Sequence, residues 1–212
     1  MKFWQIRNDT NHRARKLLQN KILLLNEIIY PGFKHDVLTK EKNPKEFFAV
    51  YVLHKIYSLN ISLGNVVLAN DVFLSVYLYR YVYELYIKVF YIFSGSSEEE
   101  ILLRLNNFFE NKDLKFSEYL DGINNYYVPA QIRDSHYEKY KTMSRMVHPN
   151  IESMKLHINR ADEKQFEFLV PNVNLTLWHT IEVIRRLSGA ISLDWGTKID
   201  QKTLASFWSD KG

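Results

Sequence analysis

The stretch NVVLANDVFLSVYLYRYVYELYIKVFYIFSG, residues 65–95, decides the fold of this chain. Its β-branched and aromatic composition suits strands, but residues 66–94 contain no Gly or Pro and exceed the roughly 3–10 residues of an ordinary strand. The stretch is long enough to span a membrane, but its four charged residues would be costly in lipid. We therefore predict a long buried helix over residues 66–94.

Apolar residues recur at helical spacings on both sides of this segment. Pro44 suits the first turn of a second helix, and Gly64 is predicted to end or bend it. The other predicted helices cover residues 11–30, 98–111, 130–148, 172–193 and 199–209, while residues 112–127 are ambiguous. The alternation in FEFLV, followed by Pro171, predicts a short extended or hairpin excursion near 162–172.

Composition indicates a single folded domain. The 212 residues are 46% hydrophobic and 15% aromatic, which supplies enough apolar surface for one core. We predict an all-α, single helical bundle over residues 1–212: a basic N-terminal helix within 1–30, a core bundle at about 44–195 and a short helix at 199–209. The chain has no Cys, which excludes disulfides, thiolate metal sites and cysteine nucleophiles.

The basic residues are concentrated at the N-terminus. The formal net charge is only +4, but residues 1–21 hold six Lys or Arg and one acidic residue. Such a cluster is typical of a solvated helix face, and it also suits a phosphate, an anionic membrane or an acidic protein. The short apolar segment at residues 22–25 is followed by Glu27, unlike a secretory signal, so we expect a cytoplasmic protein without a membrane partner.

Arg80, Glu84 and Lys88 are spaced i, i+4, i+8 and form one charged stripe on the central helix. If the helix is buried, these charges need partners and imply a polar pocket. If the stripe faces solvent, it is an ordinary helix-stabilising ion pair. Either way, we expect Arg80 and Glu84 to pair, and the region around Glu84 to face Ser144 or His148.

A second polar face lies in YKTMSRMVHPN, where Tyr140, Ser144 and His148 share one side of a helix. Pro149 is expected to stop that helix. The helix dipole favours the protonated form of a histidine in the last turn, which makes it a better acid than base at neutral pH. The alternative is that His148 only caps the free carbonyls of the helix end.

RYVYELYIKVFYI at 80–92, MSRMVHPN at 143–150 and the long last helix together resemble a bacterial family of uncharacterised helical proteins with Arg-x-x-x-Glu and Ser-x-x-x-His-Pro motifs. That family is similar to the HEPN group (higher eukaryotes and prokaryotes nucleotide-binding), which occurs in toxin–antitoxin systems, antiviral defence and RNA-cleaving effectors. The resemblance covers roughly residues 65–190. It implies that Arg80, Glu84, Ser144 and His148 line a pocket. We expect Arg80, Glu84 and His148 to be catalytic, and Ser144, Tyr140 and Arg145 to bind the ligand.

Nuclease-competent HEPN proteins cleave RNA without a metal, using Arg, a following polar residue and a His four to six residues farther on. Arg145 and His148 are only three residues apart, which departs from this motif. Arg7 and His12 have the literal spacing, but they lie at the N-terminus, whereas the family places the motif in a late helix. In such a reaction an imidazole moves the ribose proton and an Arg stabilises the phosphorane.

Other chemistries have little support in the sequence. His179 and Glu182 form an H-x-x-E pair, which we interpret as structural because a metal site needs three or four ligands. We predict no cofactor and no metal. Two functions remain open: a metal-independent ribonuclease of defence or toxin type, with RNA as its partner, or a non-catalytic helical binding module such as a sensor, antitoxin or scaffold, with a protein partner or as a homodimer.

Overall fold

In the computed structural model, residues 3–29, 43–112, 114–126, 128–147 and 162–190 are described. These residues form helices and connecting turns, without strands, so the predicted all-α class is confirmed. The helices are α1 (Phe3–Ile29), α2 (Pro44–Ala69), α3 (Val72–Phe93), α4 (Glu98–Phe109), α5 (Phe116–Asp121), α6 (Ala130–Val147) and α7 (Asp162–Ala190).

Helix α3 is the centre of the bundle. It contacts α2, α4, α5, α6 and α7, whereas α1 packs mainly on α2. Thirteen of its 22 residues are buried, and Val82, Tyr83, Ile87 and Val89 have no exposed surface. A helix apolar on most of its faces needs neighbours on most of its faces, and the bundle supplies them. No helix in the described ranges has both the length and the apolar character needed to cross a membrane.

The boundary between α2 and α3 differs from the prediction of one helix over 66–94. Residues 66–69 belong to α2, which ends at Asn70 in the left-handed conformation, with φ of 54°. Asp71 then caps α3 by accepting a hydrogen bond of 2.9 Å from the Leu74 amide. Asn tolerates φ above zero and Asp is a preferred N-cap, so this polar pair ends one helix and begins the next.

Gly64 does not end α2, contrary to one form of the prediction, because the helix continues to Ala69. It is buried within the helix, and a Cβ placed there would lie 3.4 Å from Cγ of Gln19 on α1. The glycine therefore faces the Gln19 side chain across the contact between α1 and α2. Farther along the same interface, the Asn60 amide donates a hydrogen bond of 2.9 Å to Oδ1 of Asn26, which joins two buried polar side chains.

The extended excursion predicted near 162–172 is wrong, because α7 is helical from Asp162 and contains Pro171. Leu169, Val173 and Leu177, each four residues apart, are at most 1% exposed. Burial of this helical stripe outweighs the period-2 pattern of FEFLV. The predicted helix at 199–209, the proposed stops at Pro31 and Pro149, and His148 lie outside the described residues.

Contacts between helices show how α6 and α7 run beside α3. Tyr83 contacts His136 and Arg80 contacts Tyr140, so the residue numbers run in opposite directions and α6 is antiparallel to α3. Along α7, by contrast, the contacts of α3 advance in the same direction. Ser75 lies near Asn172 and Phe93 near Arg186, so α7 runs parallel to α3.

Candidate functional site

Arg80 lies at the contact between α3 and α6. Its Nε donates a hydrogen bond of 3.0 Å to Oε1 of Glu84, and its Nη2 donates one of 3.1 Å to the Tyr140 hydroxyl. The side chains of Arg80 and Glu84 are 22% and 28% exposed, so the pair lies at the edge of the core rather than in bulk solvent. The predicted pairing is confirmed, and Tyr140 adds a third member on the facing helix.

The position of this guanidinium is fixed by aromatic packing. It lies 5.2 Å from the centroid of the Tyr140 ring, which is stacked on Phe116 of α5 at 3.9 Å. Burial lowers the pKa of Arg80, while the hydrogen bond to Tyr140 and the charge of Glu84 raise it more, so the net shift is upward. Arg80 is therefore a permanently charged, well-oriented cation that keeps part of its surface accessible.

Lys88, the third member of the predicted stripe, has different surroundings. Its Nζ lies 5.2 Å from the centroid of the Tyr119 ring and borders a pocket formed with α2, α4 and α5. Lys88 is two turns beyond Arg80, or about 12 Å along the axis of α3. The stripe is therefore divided between two surfaces.

Ser144 and Arg145 lie one turn farther along α6 than Tyr140. Because the helices are antiparallel, that turn leads away from Glu84, and the levels of Glu84 and Ser144 differ by about 12 Å along the axis. Tyr140 is the residue of α6 that hydrogen-bonds to the Arg80–Glu84 pair, and a contact between the region around Glu84 and Ser144 stays a prediction. The expectation for His148 lies outside the described residues.

Ser144 and Arg145 differ in their surroundings. The Ser144 Oγ is buried and has no hydrogen-bond partner among the described residues. Arg145 is exposed in the last turn of α6, where a cation is favoured by the negative end of the helix dipole.

A second polar cluster, which sequence reasoning missed, joins α3, α6 and α7 on the inner side of Arg80. The Tyr83 hydroxyl and Nδ1 of His136 are 2.5 Å apart, and their rings are parallel within 9°. Desolvation raises the pKa of Tyr83, and desolvation together with the charge of Lys139 lowers the pKa of His136. Both groups are therefore neutral, and the Tyr83 hydroxyl and Nδ1 of His136 share one hydrogen bond.

His179 of α7 packs against the tyrosines of this cluster. It is 2% exposed, and its Nδ1 donates a hydrogen bond of 2.7 Å to the Leu175 carbonyl. Its ring meets Tyr83 and Tyr86 edge-on, with centroids 5.0 and 4.8 Å apart. Desolvation lowers the pKa of His179 to about 4, so this ring is neutral at physiological pH.

Lys139 covers the open side of the same cluster. Its Nζ lies 5.4 Å from the Tyr79 ring centroid and 5.2 Å from that of Tyr83, and desolvation lowers its pKa. The helical spacing of His136, Lys139 and Tyr140 puts them on one face of α6. That face could have been recognised in HYEKY, but only the fold shows that it lies against the tyrosines of α3.

Comparisons with protein-family models, curated proteins and solved structures give no match to this chain. Within the described ranges, no three His, Asp or Glu side chains come together as a metal site would require. His179 and Glu182 have separate partners, since Glu182 pairs with Arg185 at 2.8 Å. What the protein does has to be inferred from its own surfaces.

Proposed function

We propose that this chain is a HEPN-like helical protein of bacterial defence or toxin type that acts on single-stranded RNA through the face of α3 around Arg80. The observation that carries the proposal is the setting of this cation. Arg80 is accessible and held in position by Glu84 and Tyr140. Exposed tyrosines continue the same face. Tyr77 lies three residues before Arg80 and is 49% exposed, and Tyr81 lies three residues before Glu84 and is 36% exposed.

A fixed cation among exposed aromatic rings suits single-stranded nucleic acid. Bases stack on tyrosine rings without much regard to sequence, and arginine contacts phosphate or the face of a base. The facing helix also carries basic residues, Lys141, which pairs with Glu138, and the exposed Arg145. The surface thus combines the two attractions by which proteins hold a flexible, charged strand.

Cleavage would require a proton-transfer group, for which His148 is our candidate. Val147, the last described residue of α6, is seven residues beyond Tyr140, or about 10 Å along the axis. The level of Arg80 and the last described turn of α6 are therefore about two helical turns apart. This separation supports a role for Arg80 in binding the RNA strand.

A second candidate, the non-catalytic binding module, is favoured by one observation. Nε and Nη2 of Arg80 already donate hydrogen bonds to Glu84 and Tyr140, as an ordered helix interface requires even without a ligand. In that case the three residues hold α3 to α6, and the module binds its partner without cleaving it.

The experiment uses the full chain with labelled single-stranded RNA of mixed sequence, with and without EDTA. Arg80→Gln should weaken binding about tenfold, since it removes one positioned cation. Arg185→Gln is the matched control, because Arg185 also pairs with a glutamate on its own helix but belongs to α7. A melting curve of each variant separates lost binding from lost folding.

Cleavage is followed in the same samples. His148→Ala should reduce cleavage about 10²- to 10⁴-fold while leaving binding and melting temperature nearly unchanged. His54→Ala, an exposed histidine of α2, is its control. Binding without cleavage in every sample would favour the binding module, and the absence of RNA binding would overturn the RNA proposal.

A further inference from the structure

A pocket of about 430 Å³ opens between the start of α2, the second half of α3, the end of α4 and α5. It is lined by aromatic residues, among them Tyr51, Phe108 and Tyr119, and by two lysines, Lys88 and Lys112, which we call its cationic rim. This volume lies within the range of about 300–1,000 Å³ that is typical of small-molecule sites. We call it the aromatic pocket.

The aromatic wall is anchored in the core. Phe108 meets the fully buried Phe48 edge-on, with centroids 5.0 Å apart, and contacts Tyr51 at 6.0 Å on its other side. Tyr51 is 39% exposed, so part of its ring remains available to a ligand. One wall of the pocket is thus a rigid corner of two rings, which can receive a flat molecule without rearrangement.

The polar rim is positioned by the end of α4. Asn111 adopts the left-handed conformation with φ of 54°, and the Lys112 amide donates a hydrogen bond of 3.0 Å to the Asn107 carbonyl. These are the features of a Schellman ending, in which the chain reverses sharply after the helix. The reversal places Asn111 and Lys112 on the pocket wall, where they offer an amide and an amine.

A smaller pocket of about 170 Å³ adjoins the first and shares Phe108, Lys112 and Tyr119 with it. Lys112 therefore borders both cavities. Its side chain is 64% exposed and pairs with Glu110 at 2.7 Å on the surface. Such an exposed pair is weak, so an incoming anion can compete for the amine.

We propose that the aromatic pocket binds a nucleoside phosphate, with the base against the Tyr51–Phe108 corner and the phosphate at Lys88 and Lys112. A flat ring joined to an anion is the ligand chemistry that matches a corner of aromatic rings beside two lysines. The Asn111 amide offers both a donor and an acceptor to the edge of a base.

Isothermal titration of the full chain with AMP tests the proposal. Saturable one-to-one binding is expected, with adenosine and inorganic phosphate each at least about tenfold weaker, because each lacks one half of the ligand. Competition with a short oligoadenylate distinguishes two sources of a nucleoside phosphate, an RNA strand and a free nucleotide. Displacement of AMP assigns the pocket to a nucleotide unit of RNA, and no displacement assigns it to a free nucleotide.

The chain offers a matched pair of controls. Tyr51 has Lys55 one turn later, 5.5 Å from its ring, and the equally exposed Tyr137 has Lys141 one turn later, at 5.9 Å. Tyr51→Ala should weaken AMP binding about fivefold or more, whereas Tyr137→Ala should leave it unchanged.

The cationic rim is tested in the same way. Lys112→Gln should weaken AMP about fivefold but leave adenosine unaffected, with Lys141→Gln as control. No saturable AMP binding by the wild type, or equal losses in both members of a pair, would overturn the proposal. Arg80→Gln should retain AMP binding, so a failure of the RNA proposal remains distinguishable from a failure here.

Discussion

The Tyr83 hydroxyl and Nδ1 of His136, 2.5 Å apart, form a side-chain hydrogen bond that joins the fully buried centre of α3 to α6. Burial raises the pKa of Tyr83 and lowers that of His136, so both groups stay neutral. The bond fixes the rotation of α6 about its axis. It thereby determines that Tyr140, one turn later, meets Arg80.

Tyr83→Phe should lower the free energy of unfolding by about 1 kcal/mol, because the ring contacts remain but His136 loses its hydrogen-bond partner. Urea unfolding measures this loss. Tyr81→Phe, on the exposed side of α3, should change stability by less than about 0.5 kcal/mol. Equal stability of the wild type and Tyr83→Phe would show that the bond contributes nothing to the interface.

The pKa of His179, lowered to about 4 by burial, predicts acid sensitivity. Between pH 4 and the usual value near 6.5, the unfolded chain binds more protons than the folded one. The free energy of unfolding should therefore decrease as the pH falls through this window, by on the order of 2–3 kcal/mol. His136, whose pKa is also lowered, acts in the same direction, and the nearby Lys139 opposes protonation of both rings.

His179→Gln removes this titration and should flatten the dependence of stability on pH between 7 and 4.5. Trp178→Phe is the control, since Trp178 packs on His179 with centroids 4.8 Å apart but does not titrate. It should lower stability without changing the slope. Urea unfolding at several pH values gives both quantities, and an unchanged slope in His179→Gln would contradict the assignment.

Two glycines should respond to alanine with opposite signs. At Gly64 the added Cβ would meet only the flexible Gln19 side chain, at 3.4 Å, and alanine favours the helix by roughly 0.8–1 kcal/mol. At Gly122 the Cβ would lie 2.5 Å from the Tyr91 ring, which costs about 1–3 kcal/mol. Thermal or urea unfolding measures the stability of both variants. A destabilised Gly64→Ala would mean that Gln19 cannot move aside at the contact between α1 and α2.

Most of the fold could be predicted because the signals were strong and local. Residues 72–93 are helical as their length and periodicity indicate, and Ser97 caps α4 where the acidic run begins. The errors arose where a local pattern competed with packing. Glycine often breaks a helix, but Gly64 lies inside α2 and faces Gln19 of α1. Proline often marks a helix boundary, but Pro171 lies within α7.

The candidate site was predictable only within one helix. The spacing of Arg80 and Glu84 was sufficient to predict their pairing. Contacts between helices depend on the register of α6 against α3, and no periodicity within either helix encodes that register. For the same reason the approach of His136 to Tyr83, 53 residues apart in sequence, could not be anticipated.

The exposed tyrosines of α3 give the most direct test of the RNA-binding face. Tyr77→Ala and Tyr81→Ala should each weaken RNA binding by about 1–3 kcal/mol, because each removes a ring on which a base can stack. Neither ring is buried, so the melting temperature should change little. Fluorescence anisotropy with labelled RNA measures the affinity, and Tyr126→Ala, at an 85% exposed tyrosine between α5 and α6, is the control.

The salt dependence of RNA binding separates stacking from phosphate contacts. Stacking is largely insensitive to salt while phosphate contacts are not, so the tyrosine variants should retain the wild-type salt dependence, whereas Arg80→Gln should reduce its slope. Loss of salt dependence in the tyrosine variants, or equal weakening by Tyr126→Ala, would argue against stacking on this face.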